Sequence, residues 1–123
     1  MEKDIKFSKE HACFDIDNNI AALGITEYAL SLLGHVIFLN LNSVGTVLNI
    51  GEKFGDIEGV KTVLDLISPI AGEILEVNED LINTPDKISD DLFKSWLVKI
   101  KVSSVSNELL SQDEYLNYVR ENS

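Results

Sequence analysis

Apolar and polar positions in this chain alternate over short runs more often than they recur at helical spacing, which predicts a fold built mainly from strands. In "HVIFLNLN" Val36, Phe38 and Asn40 fall on one face and Ile37, Leu39 and Leu41 on the other. With so few polar positions, this strand is expected to be buried on most of both faces. "NNIAALGI" reads as a turn at Asn18 and Asn19 followed by a short strand. "TVLDLISPIAGEILEV" reads as strand broken at Ser68-Pro69 and again at Ala71-Gly72, since proline cannot donate to a ladder. "SWLVKIKV" puts Trp96, Val98, Ile100 and Val102 on one side and Lys99 and Lys101 on the other.

Helical spacing is confined to two places. In "TEYALSLLG" Thr26 is a helix N-cap, Glu27 suits the first turn and Gly34 stops the helix after about two turns. Near the end, Ser111 and Glu114 have capping-box spacing, and Leu110, Tyr115, Leu116 and Val119 can form an apolar stripe. "NEDLINTPDKISDDLF" is a short helix or turn leading into a loop, and Gly45, Gly51, Gly55 and Gly59 punctuate the middle of the chain as turns or bulges. These elements predict a β-sandwich or barrel-like core and leave too few helices for a doubly wound α/β sheet.

At 123 residues the chain suits one compact domain, with 45% hydrophobic and 25% charged residues. Ten basic residues against 21 acidic ones give a net charge of -11. That surface repels phosphate backbones and anionic lipid, so no nucleic acid or membrane partner is expected; soluble partners with basic surfaces are. The start "MEKDIKFSKE" has no apolar signal core, and the single Cys13 cannot form an internal disulfide. A bacterial-type cytoplasm is the expected location, with a mature mitochondrial form as the other compatible one.

The usual chemistries find little purchase. His11, His35 and Cys13 are too few for a structural zinc site; His11 and Cys13 could share a face of one strand. There is no G-x-S-x-G elbow, and "GEKFGDIEG" lacks the lysine and hydroxyl of a phosphate loop. The acids Glu73, Glu76, Glu79, Asp80, Asp86, Asp90 and Asp91 match no EF-hand and read as a solvated face, with a docking patch as the lesser alternative.

What stands out is "IEGVKTVLDL", where two strand runs flank Gly59 to Thr62. A hairpin turn there would carry Lys61 at its tip, and Gly59 could supply the bend through a positive φ. Taken alone, the residues leave Lys61 as either an ordinary surface lysine or one displayed to a large partner.

The chain resembles the glycine cleavage system H protein family of lipoyl carriers. The resemblance is carried by "GITEYALSLLGHVIFLNLNSVGT", "FGDIEGVKTVLDLISPIAGEILEVNEDLINTP" and "SWLVKIK", in the family's order from about Ile20 to Lys101. Glu58, Val60 and Lys61 match an E-S-V-K-A type motif, with Gly59 and Thr62 as small changes from serine and alanine. Biotinyl domains place methionines beside the lysine, and acyltransferase lipoyl domains place aspartate before it; Val60-Lys61-Thr62 matches neither.

The resemblance implies a flattened β-sandwich of the barrel-sandwich hybrid type over residues 1–123, with a core of about 11–102 and a C-terminal helical segment of about 104–121. It implies lipoate covalently attached to Lys61, read by a modifying enzyme through Glu58, Gly59, Val60, Thr62 and Asp65, and no catalysis by the chain itself. The implied partners are a pyridoxal-phosphate glycine decarboxylase that loads an aminomethyl group, a tetrahydrofolate-dependent aminomethyltransferase and dihydrolipoamide dehydrogenase. A lipoate ligase or a lipoyl/octanoyltransferase would attach the lipoate.

Three stretches depart from the family pattern. H-E-W reads His11-Ala12-Cys13, which lacks the acid beside the cleft for the loaded arm. His35 precedes "VIF" where an acid is usual, and Leu41-Asn42 replaces leucine-proline. Two alternatives therefore stay open: a lipoylated relay or acceptor in lipoate metabolism, and an unmodified interaction domain.

Overall fold

A computed structural model describes residues 4–89 and 91–122; Asp90, one of the acids named above, lies outside the described residues. The strands are β1 (Lys6–Phe7), β2 (Ala12–Asp17), β3 (Ile20–Ile25), β4 (Val36–Leu41), β5 (Val47–Leu48), β6 (Lys53–Gly59), β7 (Val63–Ile67), β8 (Ile70–Val77) and β9 (Val98–Val105). The helices are α1 (Glu27–Leu33), α2 (Glu79–Asn83) and α3 (Gln112–Asn122), with a 3-10 turn at Pro85–Lys87.

Two antiparallel sheets form the body. One has the order β1-β2-β3-β9-β8-β5 and the other β4-β6-β7. Phe14, Leu23, Ile74 and Ile100 from the first sheet meet Leu39, Phe54 and Ile57 from the second in one buried cluster. The result is the sandwich-like, mostly β architecture expected of the chain, with each sheet turning its other face outward.

Local chemistry explains much of the path. Asn18 and Asn19 take φ angles of 51° and 65°, and Asp17 pairs with Ile20, so the β2–β3 hairpin turns in the two-residue, positive-φ form that matches strand twist. Thr26 Oγ1 accepts from the Ala29 N–H at 3.2 Å, and the Gly34 N–H donates to the Leu30 carbonyl at 3.1 Å. Helix α1 is thus capped at both predicted ends.

Strand β4 corrects the expectation of burial on both faces. A register shift between Val36 and Phe38 breaks the alternation. Val36 turns inward with Leu39, while Ile37 and Phe38 are 48% and 54% exposed. Phe38 shares the outward face with Asn40, and Ile37 is the extra residue of a bulge. The predicted break at Ala71-Gly72 is likewise a register shift inside β8. A Cβ on Gly72 would run into the Lys101 carbonyl, so glycine lets the strands stay paired there.

The C-terminal helix starts later than about 104. Ser104 and Val105 still pair with Ala71 and Ile70 as part of β9. The capping box sets the start: the Ser111 N–H donates to Glu114 Oε1 at 2.8 Å, and the Glu114 N–H donates to Ser111 Oγ at 3.2 Å. Of the predicted stripe Tyr115 is buried and Leu116 exposed. Leu110 instead exchanges backbone hydrogen bonds with Phe7 of β1 at 2.8 and 2.9 Å.

Tyr115 fastens α3 to the body. Its ring stacks on Phe7 at 5.0 Å, and its hydroxyl lies 2.7 Å from both Thr26 Oγ1 and His11 Nδ1. Burial pushes the Tyr115 pKa up to about 12. Replacing it with phenylalanine keeps the stacking and removes both hydroxyl contacts. The expected cost is about 1–2 kcal/mol in urea unfolding.

His11 adds a pH dependence. Burial pushes its pKa below the ordinary 6.5, and the Glu10 carboxylate only partly opposes this. The unfolded chain therefore binds the proton first. Stability from this site is full above about pH 6.5 and falls as pH drops toward the lower folded value. Thermal unfolding between pH 7.5 and 5 should show this slope in the wild type and a flatter one in His11→Asn, which tolerates the φ of 73° at this position.

Candidate functional site

The register of β6 and β7 pairs Glu58 with Val63, leaving Gly59 to Thr62 for the turn. Lys61 is exposed in that turn, where the hairpin reading puts it. The Gly59 N–H donates to the Thr62 carbonyl at 2.9 Å, closing the hairpin.

The bend itself differs from expectation. Gly59 has no positive φ, and neither do Val60 and Lys61, since the non-glycine residues with positive φ are His11, Asn18 and Asn19. Glycine at 59 serves close approach instead. A Cβ there would run into the Leu33 carbonyl oxygen and lie 2.7 Å from Leu33 C and Cβ. Relative to serine, Gly59 is thus a large change in packing.

The turn rests on the end of α1 and the loop that leads from it to β4. The Val60 N–H donates to the His35 carbonyl at 2.9 Å, and the Lys61 N–H donates to the Leu33 carbonyl at 3.1 Å. The Lys61 side chain lies over Gly34, so that a Cβ on Gly34 would sit 3.3 Å from Lys61 Cγ and Cε. Beyond that stem the amine is solvent-exposed. Among the described residues no carboxylate lies within ion-pairing distance of it.

The outward face of the small sheet continues from the turn. Phe38, Glu58 and Val63 form one cross-strand row, and Asn40, Asp56 and Asp65 the next. Glu58 and Asp65 therefore share a face beside Lys61, but their surroundings differ. Lys53 Nζ lies 3.1 Å from Asp65 and 3.5 Å from Asp56. Hydrogen bonding and charge from Asp65, followed by Asp56, hold the Lys53 pKa above its usual value. Val60, Val63 and Phe38 add exposed apolar surface around the lysine. The exposed Phe38 and the supporting Leu33-Gly34-His35 segment are the parts of the site that the sequence reading missed. The first follows from a bulge and the second from backbone contacts, neither of which has a side-chain signature.

The remaining candidates are not brought together here. His11 turns toward Tyr115 and Tyr28, while Cys13 is buried in β2 opposite Gly24. Ala12 is buried and lines a recess of about 10 Å³ shared with Glu10, Leu64 and Asp65. Among the described residues no three of His, Cys, Asp and Glu are grouped to hold a metal ion, and no helix is long and apolar enough to cross a membrane.

An exposed lysine on a backed turn, with no ion-pair partner among the described residues, is chemically able to accept an acyl group. Comparisons with known proteins bear on the chain as a whole. The family model described as glycine cleavage H-protein matches residues 5–122. The glycine cleavage system H protein of Staphylococcus epidermidis is 45% identical over 124 residues, covering 98% of each chain. That of Carboxydothermus hydrogenoformans is 38% identical over 124 residues, covering 98% of this chain and 95% of its own. The crystal structure of a glycine cleavage system H protein from Mycobacterium marinum superposes with a TM-score of 0.85 at 32% identity, covering 99% of this chain and 98% of that one.

Proposed function

Because the chain belongs to the glycine cleavage H-protein family, we propose that it is a single carrier domain bearing lipoate in amide linkage on Lys61. Membership makes it a carrier of the glycine cleavage system and not a catalyst. The observation that carries the assignment to Lys61 is its place at the β6–β7 tip, with an exposed amine and, among the described residues, no ion-pair partner.

The residues present fit the group. Attachment needs a neutral amine that can reach an activated carboxyl. The Lys61 lone pair forms the amide, a proton leaves Nζ, and the activating group departs with its bonding electrons. Among the described residues no ion pair has to be broken first. When bound, lipoate supplies a dithiolane whose disulfide opens reductively and recloses. The turn holds the base of the arm, and the stem over Gly34 starts it outward.

The attaching enzyme is a lipoate ligase or a lipoyl/octanoyltransferase, and it reads the hairpin through Glu58, Gly59, Val60, Thr62 and Asp65. Glu58 offers it a carboxylate next to the turn, while Asp65 acts from within its pairing with Lys53. The working partners are glycine decarboxylase, aminomethyltransferase and dihydrolipoamide dehydrogenase, met in a bacterial-type cytoplasm. The acidic surface favours basic docking faces on all of them.

The relay alternative is favoured by one observation: position 12, where the family's cleft acid stands, is a buried alanine. An exchange assay separates the two readings. The lipoylated protein, mixed with glycine decarboxylase, glycine and labelled bicarbonate, is expected to support exchange of the glycine carboxyl. Lipoylation without any exchange would favour the relay.

A further inference from the structure

Two-residue hairpin turns hold themselves in place best when their central residues take positive φ, because that geometry matches strand twist. The β2–β3 turn of this protein does so at Asn18 and Asn19, whereas Val60 and Lys61 of the β6–β7 turn do not. The lysine turn is therefore of a kind that needs outside support. Both of its central N–H groups point away from the hairpin and are satisfied by carbonyls where α1 leads into β4, His35 of the connecting loop for Val60 and Leu33 at the end of α1 for Lys61. Two glycines make this contact possible. Gly59 leaves room for the Leu33 carbonyl, and Gly34, at φ 73°, leaves room for the Val60 and Lys61 side chains.

We propose that Leu33-Gly34-His35 is a backbone clamp that holds the β6–β7 turn in the pose in which a modifying enzyme accepts Lys61, with Gly59 and Gly34 as its positioning residues. The inference rests on the lipoyl-carrier reading and adds to it a determinant outside the hairpin. The pairing links helix and hairpin: Gly34 both ends α1 and seats the lysine stem. Without the clamp the turn samples other conformations, and the enzyme's apparent affinity falls by the fraction of time spent in the competent one. Chemistry within the bound complex is unchanged. The effect therefore belongs in KM for the carrier and not in kcat.

Hydrogen exchange and lipoylation kinetics test this together. In the wild-type protein the Val60 and Lys61 amides are expected to be protected despite lying at an exposed tip. In Gly59→Ala they are expected to exchange about tenfold faster, and KM for lipoate ligase to rise about tenfold with kcat within about twofold, as loss of one or two backbone hydrogen bonds would produce. Core amides such as those of Ile57 and Ile100 should keep their protection, which separates clamp release from unfolding. Gly34→Ala, outside the hairpin that the enzyme reads, crowds the Val60 and Lys61 side chains at 3.1 and 3.3 Å and should raise KM alone in the same way. Unprotected Val60 and Lys61 amides in the wild type would overturn the clamp whether or not either variant folds. So would an unchanged KM in both folded variants. A wild-type protein that is never lipoylated but keeps both amides protected would overturn the carrier reading, and the clamp's role in modification with it; the exchange data distinguish that case from failure of the clamp itself.

Discussion

Lys61→Arg is expected to abolish lipoyl attachment and, with it, all carrier-dependent glycine decarboxylation, while leaving the fold intact. Arginine keeps the positive charge and most of the aliphatic stem, so the packing over Gly34 is largely preserved. What it cannot supply is a neutral amine, since the guanidinium stays protonated well above any working pH. The substitution lies at an exposed position with no ion-pair partner among the described residues, so unfolding free energy should move by no more than about 0.5 kcal/mol. Residual exchange activity near the wild-type level would place the functional amine elsewhere. A large loss of stability would mean that Lys61 also holds the fold together.

Phe54→Ala is expected to be the most damaging of the substitutions considered for stability, costing about 3–5 kcal/mol. Phe54 is fully buried on β6 and packs in the cluster shared by both sheets, while its carbonyl accepts the Asn42 N–H at 2.9 Å. Truncation removes the whole ring and leaves a cavity between two sheets whose strand pairing resists collapse. Small domains have only about 5–15 kcal/mol in total, so the variant should unfold at much lower urea with a similar slope. A change below about 1 kcal/mol would contradict the packing described for β6. Because β6 runs directly into Gly59, the same variant should also loosen the lysine turn.

Local chemistry was legible along the chain wherever one short stretch decides the outcome. Thr26 and Gly34 bound α1, Asn18-Asn19 turns a hairpin, and the Ser111–Glu114 box starts α3, each through contacts within a few residues. Contacts between distant residues were not legible. Tyr115 reaches Thr26 across 89 positions and His11 across 104, and no periodicity announces either pairing. The bulge at Val36–Phe38 was hidden because a register shift depends on the partner strand. At the site, the hairpin and its lysine could be read from flanking strand runs. The reason for glycine at 59 could not: it lies in the Leu33 carbonyl, on another element. Reading Gly59 as a bend-former was chemically reasonable, but this turn places no positive φ there.

The most direct test of the central claim is the mass of the intact protein after incubation with lipoate ligase, ATP and lipoate, followed by mapping of the modified peptide. The expected result is a single increment equal to lipoate less water, located on Lys61 and absent from Lys61→Arg. No increment under conditions that fully lipoylate a control carrier, or an increment mapped to another lysine, would contradict the account.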